Sequence, residues 1–167
     1  EPVDLVEIAR EVVASYSATS AQHDISCTVI PAEQPYLVKG DNSRLAQILA
    51  NLLQNAIKYS PLGGPITVTL RQYKDDILQK RMIEVCVEDK GIGIPQEALP
   101  RLFERFYRAQ NIQGSKTKGI GLGLYVVAEL LHMQDGTIRA ESSGILGEGS
   151  RFIFTLPALE SSIKTDE

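Results

Sequence analysis

Long apolar runs, an excess of basic charge and a basic leader segment are all missing from this sequence of 167 residues. No apolar run approaches the roughly 18–20 residues of a membrane helix. The start, Glu1-Pro2-Val3-Asp4, lacks the basic and apolar regions of a signal peptide. The formal net charge of −4 provides no basic field for a nucleic-acid backbone. We therefore expect a soluble domain that does not bind nucleic acid.

Cysteine is also scarce. Cys27 and Cys86 lie far apart in alternating apolar segments, and neither has a second thiol nearby. This argues against a disulfide framework and against a zinc site. We expect two buried, reduced thiols, and such thiols are compatible with a cytoplasmic location.

The remaining composition is that of a globular domain, with 43% hydrophobic and 23% charged residues. The length suits one domain, and neither an internal repeat nor an interdomain linker is recognisable. We expect a single domain over residues 1–159, followed by a flexible polar tail over residues 160–167.

Periodicity predicts three main helices and several strands. Apolar residues recur at helical spacing in three segments, and Asp41 is a candidate N-cap for the second; these segments are 3–18, 42–59 and 121–133. Short helical pieces are expected around 96–107. Alternating segments typical of strands are 25–30, 66–70, 82–88, 137–141 and 150–156, and the second and third suit an antiparallel hairpin.

The second predicted helix carries polar side chains on one face. Gln47, Asn51 and Asn55 follow one another at four-residue steps, and Lys58 and Tyr59 extend this stripe. One interpretation is a set of hydrogen-bonded amides at the edge of a helix–sheet contact. The other is an oxygen-rich cation site, in which the Asn55 amide oxygen meets Mg²⁺ already held by phosphates and Lys58 adds positive charge.

Two glycine-containing segments follow. Asp89-Lys90-Gly91-Ile92-Gly93 comes directly after a strand, where glycines allow close approach to a flat ligand and a carboxylate can accept from an amine; a tight turn has the same pattern. Gly119-Ile120-Gly121-Leu122-Gly123-Leu124 opens a helix, where unpaired N–H groups favour anions. It lacks the βαβ context of the dinucleotide fingerprint, and the Walker pattern is absent.

The order of these segments is more specific than any one of them. An Asn-bearing helix is followed by the Asp89 segment, by Phe103-Glu104-Arg105-Phe106, by the glycine-rich helix start and by Gly147-Glu148-Gly149-Ser150-Arg151-Phe152. In this order the chain resembles the catalytic and ATP-binding domain of two-component sensor histidine kinases. The resemblance extends from about Glu1 to Pro157, and the segment Asn51 to Ser60 is its most specific part.

The resemblance implies the α/β (α+β) two-layer sandwich shared with gyrase, heat-shock chaperones and mismatch-repair ATPases. That fold has a mixed, mostly antiparallel sheet of about five strands, three main helices on one face and a mobile ATP lid. It also implies that the chain binds Mg·ATP and donates the γ-phosphate to a histidine on a separate dimerisation and phosphoacceptor domain, for relay to a response regulator. Homodimerisation would occur through that other domain, and any membrane contact through parts outside this chain.

The resemblance also assigns roles to residues. Asn55 would ligate Mg²⁺, Asn51 would support that site, and Lys58 would approach the phosphates. Tyr59 would pack near adenine and ribose, Asp89 would accept from the adenine amine, and the pocket floor would contain Gly91 and Gly93. Phosphate and lid contacts would come from Lys118, Gly119, Gly121, Leu122 and Gly123.

Further assignments concern the segment before the third helix. Arg108 would reach the γ-phosphate, with Arg105 as the alternative, and Asn55, Lys58 and Arg108 would form the catalytic set. Phe103 and Phe106 would pack beneath a lid formed by residues 109–118. The chain departs from the family at Ile120, a place often held by Thr or Ser, and at Ala109-Gln110, where Val-Asp is frequent.

A phosphoacceptor histidine is not expected in this chain. His23-Asp24 precedes a predicted strand, and His23 is interpreted as an ordinary surface histidine and His132 as a structural one. Two other functions stay open: a non-catalytic, nucleotide-dependent interaction module, and an ATP hydrolase of the gyrase type. Asn51 stands where the gyrase branch has its general-base Glu, which predicts slow hydrolysis.

Overall fold

The computed structural model describes residues 1–32, 35–105, 107 and 123–159. The elements within these ranges are β1 (Pro2–Asp4), α1 (Leu5–Thr19), β2 (His23–Ile30), β3 (Leu37–Lys39), α2 (Asn42–Lys58), β4 (Gly64–Asp75), β5 (Lys80–Asp89), α3 (Gly123–His132), β6 (Thr137–Glu141) and β7 (Ser150–Pro157). None of the helices in these ranges is long and apolar enough to cross a membrane.

Side-chain caps fix where the first two helices begin. The Asp4 carboxylate accepts from the Val6 amide at 3.0 Å, and the Asp41 carboxylate accepts from the Arg44 amide at 3.1 Å. Each cap satisfies one of the N–H groups that a helix start leaves unpaired. The prediction of Asp41 as an N-cap is confirmed, whereas the first helix begins at Leu5 rather than at Val3.

Within the described ranges the main sheet has five strands, in the order β2-β4-β5-β7-β6. β2 pairs with β4 in parallel, and the other three neighbouring pairs are antiparallel. The predicted hairpin is confirmed as β4–β5, and both strands are longer than their apolar alternation indicated. The fold predicted from the sequence, a mixed and mostly antiparallel sheet with three helices, is therefore correct.

A second sheet of two short strands was not predicted. β1 pairs with β3, and Val38 of β3 also forms a bridge to Ala158, beyond the end of β7. Residues 96–107 were expected to form short helical pieces, and the residues of this range that the structure describes form one 3-10 turn, Leu99–Arg101.

The core lies between the three helices and one face of the sheet. The sheet contributes Ile66, Val68 and Leu70 from β4, Ile83, Val85 and Val87 from β5, and Phe152, Phe154 and Leu156 from β7. This is the period-two alternation of strands with one buried face. The core side of α2 is formed by Leu45, Ile48, Leu49, Leu52, Leu53 and Ala56.

The opposite face of the sheet carries ion pairs that connect β5, β7 and β6. Arg139 contacts Glu84 at 3.5 Å, and Arg151 contacts both Glu88 at 3.4 Å and Glu141 at 3.2 Å. These side chains are partly exposed, so each pair contributes only about 0–1 kcal/mol to stability. Cys86 is buried on this same face and Cys27 is half-buried, close to the sequence prediction.

Candidate functional site

Asp89 is the last residue of β5 and lies opposite Ser150, the first residue of β7. Its side chain is 0% exposed. One carboxylate oxygen accepts from the Gly91 amide at 2.9 Å, and the other accepts from the Ser150 hydroxyl at 2.7 Å. A carboxylate has about four acceptor sites, so these bonds leave acceptor capacity for a ligand donor.

Burial controls the acidity of this group. Removal from water disfavours the charged form and raises the pKa of Asp89 above its ordinary value. The bonds from Gly91 and Ser150 act against this rise, and the nearby Glu88 adds to it. None of the described residues forms an ion pair with Asp89, and a carboxylate buried at this cost is typical of functional sites.

Gly91 lies where the segment after β5 meets the end of α2. A Cβ at this position would overlap the carbonyl oxygen of Tyr59, so no larger residue fits without movement. The same carbonyl accepts from the Ile92 amide at 2.9 Å. The predicted pocket floor is therefore joined directly to the helix that carries the polar stripe.

Glycines also shape the opposite side of Asp89. Gly93 has φ of +77° and Gly149 has φ of +71°, backbone conformations that L side chains rarely adopt. A Cβ on Gly149 would overlap the Asp89 carbonyl oxygen. The Gly147 amide donates to the Gly91 carbonyl at 2.9 Å, so the β6–β7 loop is fixed against the Asp89 segment.

Ser142, just after β6, holds this loop through its hydroxyl group. The hydroxyl oxygen accepts from the Ile94 amide at 2.9 Å and from the Gly144 amide at 3.1 Å, and the hydroxyl donates to the Gly149 carbonyl at 2.8 Å. One side chain thus connects Ile94, the residue after Gly93, to the loop before β7.

The polar stripe of α2 ends at this floor. Asn51 and Asn55 are half-buried, Lys58 is exposed and Tyr59 is half-buried. Asn55 Nδ2 is buried without a hydrogen-bond partner among the described residues. The interpretation of this stripe as a set of satisfied amides is therefore not supported at Asn55, whose NH₂ group has no hydrogen-bond partner among the described residues.

The donor set fits Mg²⁺ that arrives with phosphates. No group of three or more His, Cys, Asp or Glu side chains within the described ranges could hold a metal ion. Mg²⁺ usually keeps several waters and takes one or two protein ligands together with substrate phosphates. One amide oxygen from Asn55 is compatible with that arrangement and would not suffice for a metal held by protein alone.

Some predicted site residues lie outside the described residues, as does the predicted lid over 109–118. They are Phe106, Arg108, Ala109, Gln110, Lys118, Gly119, Ile120, Gly121 and Leu122. Gly123 is described as the first residue of α3, and a Cβ there would meet nothing within 4 Å.

Around that segment, Phe103 packs edge-on against Phe152 with 6.4 Å between ring centroids, next to the core. The guanidinium of Arg105 lies over the ring of Tyr125 at 5.9 Å. Phe103 is thus a packing residue, in line with the positioning role suggested for it.

Sequence reasoning missed three supports of the site: Ser142, Gly149 and Ser150. Gly149 and Ser150 belong to a recognised segment, but no feature of the sequence shows that the Ser150 hydroxyl binds Asp89, 61 positions away. His23 was also misjudged as an ordinary surface residue, since it is half-buried and both of its ring nitrogens are hydrogen-bonded.

Comparison with known proteins gives a family match, similar sequences and similar solved structures. Residues 40–160 match the family described as "Histidine kinase-, DNA gyrase B-, and HSP90-like ATPase". The sensor-like histidine kinase SenX3 of Mycobacterium tuberculosis is 37% identical over 165 residues, which cover 99% of this chain and 38% of SenX3. The chain thus spans about two fifths of that relative's length.

Two solved structures agree over almost the whole chain. The mycobacterial sensor histidine kinase MprB superposes with a TM-score of 0.76 at 29% identity, covering 96% of this chain and 99% of that one. Full-length ShkA in complex with AMPPNP gives a TM-score of 0.73 at 30% identity, covering 97% of this chain and 32% of that one.

Proposed function

The chain belongs to the histidine kinase-, DNA gyrase B- and HSP90-like ATPase family, and we propose that it binds Mg·ATP and donates the γ-phosphate to a histidine on a separate dimerisation and phosphoacceptor domain. The observation that carries the proposal is the buried carboxylate of Asp89, which keeps acceptor capacity beside glycines that leave room for a flat base. A relative of similar fold, ShkA, has been solved with AMPPNP.

At the base end, Asp89 would accept from the exocyclic amine of adenine. Both of its oxygens are already oriented by Gly91 and Ser150, so this acceptor is fixed before the ligand arrives. Guanine presents a carbonyl oxygen, which can only accept, where adenine has its amine, so that position offers the carboxylate no donor. The site should therefore prefer ATP to GTP.

At the phosphate end, Asn55 and Lys58 occupy the last turn of α2, and the Tyr59 carbonyl joins that turn to the floor of the base pocket. Asn55 would hold Mg²⁺ with support from Asn51, and Lys58 would approach the phosphates. The metal would supply charge neutralisation on the phosphates when bound. Arg108 would act on charge that develops at the γ-phosphate during transfer.

Adjacent domains complete the proposed activity. The acceptor histidine, the surface for homodimerisation and the cognate response regulator's docking site would belong to parts outside this chain. The chain would work in the cytoplasm, and a membrane, if one is involved, would be contacted only by those other parts.

ATP hydrolysis is the main alternative. It requires a group that orients water for attack on the γ-phosphate, and a carboxylate serves this purpose in the gyrase branch. The residue one helical turn before Asn55 is Asn51, which carries no charge. We therefore expect slow turnover, and a non-catalytic interaction module would show none.

Labelling with γ-³²P-ATP tests the proposal. The isolated chain should bind Mg·ATP, release phosphate very slowly and acquire no acid-labile label on His23 or His132. Addition of a matching dimerisation domain as a separate chain should produce label on that domain, because it supplies the positioned nucleophile. Brisk turnover without a partner would favour the hydrolase, and binding without transfer under all conditions would favour the interaction module.

A further inference from the structure

The connection between α2 and β4, residues 59–63, lies between two parts of the fold. On one side, the Tyr59 carbonyl accepts from the Ile92 amide at 2.9 Å, in the floor of the candidate site. On the other side, the Ser60 carbonyl lies 2.8 Å from Nε2 of His23, the first residue of β2. Two consecutive carbonyl groups of the connection therefore accept hydrogen bonds, one from the floor of the candidate site and the next from His23.

Both ring nitrogens of His23 have partners, and this fixes the orientation of the ring. A carbonyl oxygen can only accept, so Nε2 must carry the proton and donate to Ser60. Nδ1 lies 2.6 Å from the Ser20 hydroxyl, which donates to it when the ring is neutral. The hydroxyl can also accept, so the same arrangement suits the protonated ring.

The backbone around this ring is closely packed. The Gly64 amide donates to the Gln22 carbonyl at 3.1 Å, and the Gly63 amide donates to the Ser60 carbonyl at 2.9 Å. A Cβ on Gly63, where φ is +84°, would overlap the Gln22 carbonyl oxygen. The connection therefore has little room to move towards β2, and the hydrogen bond from His23 opposes movement away from β2.

We propose that His23 is a positioning residue of the nucleotide site. By holding the Ser60 carbonyl it fixes the Tyr59 carbonyl beneath Ile92, and Ile92 belongs to the segment that orients Asp89. Without this bond the connection can shift, the Ile92 bond weakens and the floor loses its fixed shape. The proposal rests on the proposed function, because it assigns a support to the site that would bind ATP.

A pair of substitutions separates the hydrogen bond from the presence of a side chain. His23→Leu fills similar space without a donor, and His23→Gln can place an N–H near the position of Nε2. By calorimetry we expect the Kd for Mg·ATP to rise about three- to tenfold in His23→Leu, the range for loss of one hydrogen bond. His23→Gln should stay within about twofold of the wild type. His132→Leu, the same change at an exposed histidine, is the matched control.

Amide hydrogen exchange provides a readout that general destabilisation would not reproduce. In His23→Leu the Ile92 amide should exchange faster, while the Phe154 amide in the central strand β7 should keep its wild-type rate. Ser20→Ala keeps the ring and removes one of its partners, so it should give a smaller change in the same direction. That variant keeps the proposal testable if His23→Leu does not fold.

The outcomes are distinguishable. A wild-type chain that binds no Mg·ATP would overturn the proposed function and this inference with it. A wild-type chain that binds, together with His23→Leu and Ser20→Ala variants that bind equally well, would overturn the role of His23 alone. Equal weakening in the Leu and Gln variants, or faster exchange at Phe154 as well as at Ile92, would show general destabilisation and also overturn it.

Discussion

Asp89→Asn exchanges one buried oxygen for an NH₂ group and removes one negative charge, and folding and nucleotide binding should respond in opposite directions. The remaining oxygen can still accept from the Gly91 amide, and the Ser150 hydroxyl can rotate to accept from the new NH₂ group. The local fold should therefore persist in the variant.

The stability effect follows from the pKa of Asp89, which burial raises. The folded chain then binds a proton more tightly than the unfolded chain, so the free energy of unfolding falls as pH rises from the ordinary aspartate pKa through the folded-state pKa. Asparagine does not titrate and avoids this loss. The variant should match or exceed the wild type in stability at neutral pH, and its advantage should shrink as the pH approaches 4.

The binding effect has the opposite sign. A hydrogen bond to a charged group contributes roughly 1.5–3 kcal/mol, and each 1.4 kcal/mol is a factor of ten, so the Kd for ATP should rise about 10- to 150-fold. Calorimetry with ATP and GTP measures this, and urea melts between pH 4 and 8 measure stability. Glu88→Gln is the matched control, since it removes the same charge from the preceding residue of β5, where the side chain pairs with Lys90 and Arg151.

Two results would refute this reasoning. Equal affinity of the wild type for ATP and GTP would show that the carboxylate does not accept a hydrogen bond from the adenine amine. A variant that is less stable than the wild type at pH 7, with a deficit that grows as pH rises, would show that Asp89 is stabilised as the anion and that burial does not dominate its pKa.

Three other substitutions test separate parts of the site. Asn55→Ala should abolish the Mg²⁺ dependence of ATP binding while the fold persists; titration of ATP with and without Mg²⁺ measures this, and unchanged dependence would contradict the assignment. Ser142→Ala leaves two backbone N–H groups without their acceptor and should lower the free energy of unfolding by about 1–3 kcal/mol in urea melts. Gly91→Ala pushes a methyl group into the Tyr59 carbonyl and should impair both stability and ATP binding, whereas Gly123→Ala meets open space and should retain its melting temperature.

The sequence was sufficient for elements with strong periodicity. The stripe from Leu45 to Ala56 defined α2, and alternation in β4 and β5 defined the hairpin. β1 and β3 were not predicted because three residues are too few to show any period. Their pairing also joins segments that lie far apart in the sequence. The parallel pairing of β2 with β4 could not be predicted either, since periodicity identifies strands but not their order in the sheet.

The residues of the candidate site also fall into two groups, those that the sequence identifies and those that it does not. Asp89, Gly91 and Asn55 are recognisable because their residue types and order form known motifs. His23 and Ser142 act through hydrogen bonds to backbone atoms of distant segments, at 37 and 48 positions in sequence. Backbone acceptors exist at every residue, so no sequence pattern identifies such a partner before the fold is known.

The β4–β5 hairpin has a consequence for the order in which the chain folds. Its strands meet through a short turn, in which the Asp75 carboxylate accepts from the Ile77 and Leu78 amides at 2.9 Å each. The pairing of β5 with β7 closes a far longer loop, so its entropic cost is about 2 kcal/mol higher. The hairpin should therefore form before β7 docks, and Asp75→Ala should slow refolding more than it speeds unfolding, because its contacts already exist in the transition state.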